Sequence, residues 1–237
     1  MNTLRAMAAA AVFWTLLAFA FCGIGLLVRR LFALRLRDGR GVLQSFWVGW
    51  SVSLVFLQLW HLVLPVSSWA LAAVSLAGAL GVAWNAGDIR RLAWRRPGRT
   101  AAWAAVWMAL AAWMANHSVM QPRIYDSGFY HLAAVRWIST YPIVPGLANL
   151  SQMLGFNNSS FLYAAMLDAG PFAHRSHHVA SGLIILFGML QCLHGVDELV
   201  RAKGGLRPRS VFDALFLVPL TVWAVNTGYA STASPDV

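Results

Sequence analysis

Tyr125-Asp126-Ser127-Gly128-Phe129-Tyr130-His131 places one carboxylate, two phenols and one imidazole within seven residues. A positioned carboxylate accepts a proton from a hydroxyl as that oxygen forms a new bond, an effect of about 10²–10⁴-fold on rate. A phenol offers a flat apolar face and a hydrogen-bonding tip, the combination that stacks on a sugar ring. The chain holds only eight Asp and Glu, one of them Glu, so an acid among rings stands out. Asp126, Tyr130 and His131 are the candidate catalytic residues.

Competing readings of these residues stay open at this level. Asp126 is either a base or a helix-capping carboxylate bonded to N–H groups near Gly128 and Phe129. His131 reads also as a packed or solvated histidine. Arg136 either snorkels its stem to headgroups or binds phosphate. His174-x-x-His177-His178 has the look of a metal-ligand set, but only Asp168 is near enough in sequence to complete it. An interfacial histidine cluster is the simpler reading. No metal or cofactor is assigned, with a divalent cation as the open alternative.

The elements that must position these residues follow from composition. The chain is 59% hydrophobic and 11% charged, far below the ~25% charge of a soluble domain. A bilayer-crossing helix needs about 20 apolar residues. Six stretches are expected to cross, at about 6–28, 41–64, 66–84, 101–120, 179–193 and 211–228. The expected fold is all-α, a single polytopic transmembrane helical bundle over 1–237, with an outward loop at 117–178 carrying short amphipathic helices. The first apolar run is too long for a signal peptide and is read as a retained helix. Cys22 and Cys192 have no metal or redox spacing and read as apolar fillers.

Charge gives an orientation. The net charge is +10, yet fourteen of the eighteen Lys and Arg sit in three alternate loops. These hold Arg29, Arg30, Arg35, Arg37 and Arg40, then Arg90, Arg91, Arg95, Arg96 and Arg99, then Arg201, Lys203, Arg207 and Arg209. Such loops stay cytoplasmic. That pattern argues against nucleic acid as a partner and for a lipid bilayer. It places the N-terminus and residues 117–178 on the outer face of a bacterial inner membrane. A donor on that side is lipid-linked or already exported.

Residues 117–178 hold five of the seven His and four Pro. A helix is expected from about Gly128 to Thr140, opened by Asp126 or Ser127 and ended by Pro142. Tyr130, Ala133, Ala134, Trp137 and Tyr141 recur at helical spacing and form one face. Tyr130 at i+4 falls beside Asp126. Ser159 to Leu167 reads as a short apolar helix at the interface or re-entering the membrane. Gln44, Gln58 and His61 are polar groups in a costly place. They line an outer cavity or bond between helices.

The block Tyr125-Asp126-Ser127-Gly128-Phe129-Tyr130-His131-Leu132, Arg136-Trp137-Ile138, Tyr141 to Leu150 and Gly155 to Phe161 resembles a family of bacterial polytopic membrane proteins. That family is similar to the GT-C glycosyltransferases. Ala233-Ser234-Pro235-Asp236-Val237 resembles the family too, at a point where its members continue into further spans. The chain is therefore expected to be an N-terminal portion. The resemblance implies transfer of a sugar from a polyprenyl-phosphate-linked donor to an outer acceptor in cell-envelope polysaccharide or glycoconjugate synthesis. Asp126 matches the family acid and Tyr130 its aromatic. Ser127 stands where a second acid would be, which leaves Asp126 alone as the base. Arg123, Arg136 and Arg175 are the outer arginines available to a lipid phosphate. Arg123, Arg136, Trp137, Asn149, Asn157 and Asn158 are the candidate substrate-binding residues. A membrane transporter or flippase, or a non-catalytic envelope assembly protein, is the alternative. Oligomeric state is not legible in the sequence.

Overall fold

The structure is a computed structural model. It describes residues 2–36, 38–95, 97–122, 124–155, 158–202, 205, 207–226 and 229–233. Among these residues every regular element is helical. Three helices are long and apolar enough to cross a membrane. They are α1 (Thr3–Leu31), α2 (Gly39–His61) and a third over Ser176–Val200, whose regular part is α9 (Ala180–Val200). A fourth passes that test only as a bent pair, α3 (Ser68–Trp84) with α4 (Ala86–Arg95), which meet at 62°.

Three of the six expected spans differ: 66–84 passes only together with α4, and two others fail for local reasons. Segment 101–120 lies in α5 (Pro97–Ser118), which is 22 residues long. It carries Trp103, Trp107, Trp113, Asn116 and His117, and is not among the helices apolar enough to cross. Segment 211–228 is divided at Phe216 into α10 (Pro208–Leu215) and α11 (Leu217–Asn226). Pro219 explains that break. It has no N–H to give the Leu215 carbonyl, and its ring clashes with that carbonyl in a straight helix.

α1 is the centre of the bundle, with α2 and α3 packed on it through small residues. A Cβ built on Gly25 would lie 1.8 Å from the Ser45 carbonyl oxygen, and one on Gly49 1.8 Å from that of Phe21. A Cβ on Gly23 would lie 2.0 Å from the Gly78 oxygen. The backbones therefore touch, as they do where membrane helices pack without a hydrophobic drive between them. Trp14 and Phe21 are fully buried. Trp14 donates its indole N–H to the Val179 carbonyl at 2.9 Å, which fixes the start of α9 against α1. Away from the core, Val12, Leu16, Phe19, Val55, Leu59 and Leu76 are all more than half exposed. So many outward aliphatics suit a lipid surround.

One end of the bundle is stapled by ions. Arg40 at the start of α2 forks onto Glu198 at 3.2 and 2.7 Å and reaches Asp213 at 2.9 Å. Ser210 donates to Glu198, Gln191 to Asp213 at 2.9 Å, and Trp47 to Gln191 at 2.8 Å. Arg99 and Arg201 share Asp197. These contacts join α2, α5, α9 and α10.

The other end holds the segment between α5 and α9. Its helix α6 (Leu132–Thr140) is tied to the α2–α3 turn by two backbone bonds. Val66 donates to Ile138 at 3.0 Å and Ile143 to His61 at 2.9 Å. The expected short helix at 159–167 is present as α8 (Ser159–Met166), but Phe161 through Leu167 are buried within protein. It packs against α2 and α6. Its Tyr163 ring sits 6.1 Å from Phe21 and 6.2 Å from Trp50.

Candidate active site segment

The helix at the candidate site opens with a wide turn. Ser127–His131 is a π turn that runs into α6, and the Leu132 N–H bonds the Ser127 carbonyl. Such turns place one extra residue in the helical ladder and recur at functional sites. Here the turn brings Ser127 and His131 to the buried side and leaves Gly128 and Phe129 outward. The Ser127 hydroxyl lies 2.5 Å from that of Thr232, 105 residues away. Ser181 donates to the Thr232 carbonyl at 2.7 Å, so the turn is pinned to α9 as well.

Asp126 is part-exposed and itself helical, at φ −62° and ψ −23°. A capping residue has extended backbone. Its carboxylate bonds none of the N–H groups that follow, so the capping reading does not hold. Among the described residues the Asp126 side chain has no hydrogen bond and no ion pair.

Around it the rings form a graded surface. Tyr125 and Phe129 stack at 5.7 Å and are 79% and 56% exposed. Tyr130 is half-buried and crosses Phe129 edge-on at 6.2 Å and Phe161 at 6.1 Å. His131 is buried, 4.4 Å from Tyr130 and 5.3 Å from Phe161. It packs α6 on α8, which is the packed-histidine reading. The expected face of Tyr130, Ala133, Ala134, Trp137 and Tyr141 is present in part, with Ala133 exposed. Ala134 is buried, and Trp137 lies 5.1 Å from Tyr141.

Residues 7–237 match the family described as a domain of unknown function (DUF8201). The chain belongs to that family. No curated protein and no solved structure matches it.

The remaining candidates of this DUF8201 chain divide by what their side chains already do. Arg136 is exposed and, among the described residues, free of acids. Asn149 is exposed on the short helix α7 (Leu147–Leu150), behind Gly146 at φ 82°. Asn158 caps α8, accepting from the Ser160 N–H and hydroxyl at 2.9 Å each, which commits its carbonyl oxygen. Arg123 and Asn157 lie outside the described residues, as does Ser234 to Val237. Arg175 is exposed. Gln58 donates to Ser159 at 2.6 Å and Gln44 accepts from Arg29 at 3.2 Å, so both bond between elements.

Downstream, the His177 and His178 rings lie 4.1 Å apart, while His174 stands with Asp168. His174 is exposed and 3.8 Å from Asp168, while His178 bonds the Ser118 carbonyl at 2.7 Å. Among the described residues no three His, Cys, Asp or Glu side chains gather to hold a metal ion. The DUF8201 site also contains residues that the sequence reading passed over. Tyr125 and Phe129 are four apart and present the most accessible rings beside Asp126; that spacing alone was the signal. Thr232 gave no signal, because its partner is distant in the chain.

Proposed function

We propose that this DUF8201 chain is a GT-C-like membrane glycosyltransferase, or the acceptor-activating part of one, with Asp126 as its base. The single observation that carries the reading is the Asp126 carboxylate. It is accessible, bonded to nothing among the described residues, and held on a turn that is pinned from two sides. A structural acid would have a partner; a base must keep its lone pairs open for the incoming hydroxyl.

In the proposed step the acceptor oxygen bonds the anomeric carbon. The bond from that carbon to the phosphate oxygen breaks, and the lipid phosphate leaves with the electron pair. The hydroxyl proton passes to Asp126. Tyr125 and Phe129 offer faces for a pyranose. Arg136, exposed and unpaired, offers a cation for the departing phosphate. The positive-inside distribution of Lys and Arg supports an inner-membrane location with this end outward. A transporter is the weaker reading, because Gln44 and Gln58 are engaged in bonds between elements rather than lining a path.

The test is a transfer assay with reconstituted protein and a panel of polyprenyl-phosphate sugars, reading lipid phosphate release. Asp126→Asn should lower turnover by about 10²–10⁴-fold. Full activity in that variant would end the base assignment. Absence of turnover across the panel by the intact full-length protein that contains this chain would end the glycosyltransferase reading.

A further inference from the structure

The arginines at the ion-stapled end fall into two sets. Arg40, Arg99 and Arg201 are engaged with Glu198, Asp213 and Asp197. Arg30, Arg35, Arg90 and Arg91 are exposed instead. Their nearest acid contact among the described residues is Asp88, 3.9 Å from Arg91. Asp38 is occupied at the start of α2, where it accepts from the Gly41 N–H at 2.9 Å.

Exposed apolar side chains neighbour these cations along the chain. The Arg30 guanidinium lies over the Trp84 ring at 5.4 Å, which joins the α1–α2 loop to the α3–α4 bend. Leu31, the last residue of α1, and Phe32 after it are 84% and 73% exposed. The bend occurs at Asn85, whose side chain bonds back to the Gly81 carbonyl at 2.9 Å. The turn of 62° sets α4 well off the axis of α3. α4 turns Ile89, Leu92 and Ala93 toward the protein and leaves Arg90, Arg91 and Trp94 outward.

We propose that this face, the α1–α2 loop with α4, is a binding surface for anionic phospholipid headgroups. The cations match a phosphate diester of net negative charge. Trp84 and Trp94 are rings of the kind that settle at headgroup depth, and Leu31 and Phe32 enter the acyl boundary. A polyanion in water, such as nucleic acid, would leave those apolar groups wet. The surface does not depend on the transfer reaction and lies on the opposite end of the bundle from Asp126.

The full chain, delipidated in neutral detergent, would be titrated with phosphatidylglycerol or phosphatidylcholine, and the retained lipid counted by native mass spectrometry. Each cation at an anionic surface contributes roughly fivefold, so the wild type should prefer phosphatidylglycerol by more than about tenfold. The variant R30Q/R35Q/R90Q/R91Q should lose that preference. The matching four-lysine variant should keep it, since a point charge suffices for this attraction. Circular dichroism checks that the glutamine variant stays helical, and R90Q/R91Q alone should give an intermediate loss. Equal retention of both lipids by the wild type would overturn the proposal. So would a preference that survives the four glutamines, or one that disappears equally with lysine.

Discussion

Glu198 and Asp126 are acids at opposite ends of the same bundle, and they are treated in opposite ways. Glu198 receives the forked guanidinium of Arg40 and a hydroxyl from Ser210. Asp213, on the far side of Arg40, receives Gln191 as well. Asp126 receives nothing among the described residues, although Ser127 beside it is fully engaged. The difference separates holding from doing. A chain this short of acid closes one end with three of them and leaves one open where the Tyr125 and Phe129 rings stand.

Breaking the compensated end should have the largest effect. Arg40→Ala strands Glu198 and Asp213, which are 20% and 8% exposed. Removing one partner of such a buried set costs about 3–5 kcal/mol, read as thermal unfolding in detergent. Arg40→Lys should recover only part of that, because the fork cannot be reproduced by an ammonium. Next comes Thr232→Val, which leaves the buried Ser127 hydroxyl unpaired and should cost about 1–3 kcal/mol. The Thr232→Ser variant restores the bond and should unfold near the wild type. Asn158→Ala removes the α8 cap, and about 1 kcal/mol with it. The smallest change is the sharpest. Asp126→Asn should move stability by less than about 0.5 kcal/mol while transfer collapses. A loss above about 1 kcal/mol would put Asp126 with Glu198 as a holding acid and erase the contrast.

Much of this was legible in the sequence, because burial of apolar runs and charge segregation are properties of local composition. α1, α2 and α9 fall where hydropathy puts them, and the helix ending before Pro142 ends there. The rest depended on distant pairings. Arg40, Arg99 and Arg201 read as loop cations, yet each has an acid on another element or another turn. Nothing local announces that Arg40 meets Asp213, 173 residues on. The π turn was missed for a related reason. Its sequence is compatible with an ordinary helix start, and the pin that accompanies it comes from Thr232. The burial of α8 was not legible because its neighbours, α2 and α6, are invisible to a window along the chain. At the site, the acid and its aromatic setting were legible. Which rings are reachable was not, since that depends on Phe161 closing over His131 and leaving Tyr125 and Phe129 outside.

The Ser127–Thr232 bond also sets a clock. Its two hydroxyls are 105 residues apart, and a ribosome adding about 5–20 residues per second needs roughly 5–20 s to deliver the second after the first. For that interval the turn bearing Asp126 exists without its pin, while α1, α2 and α3 have all been made and can pack. The turn bearing Asp126 thus reaches its final shape only once Thr232 has been made, later than the packing of α1, α2 and α3.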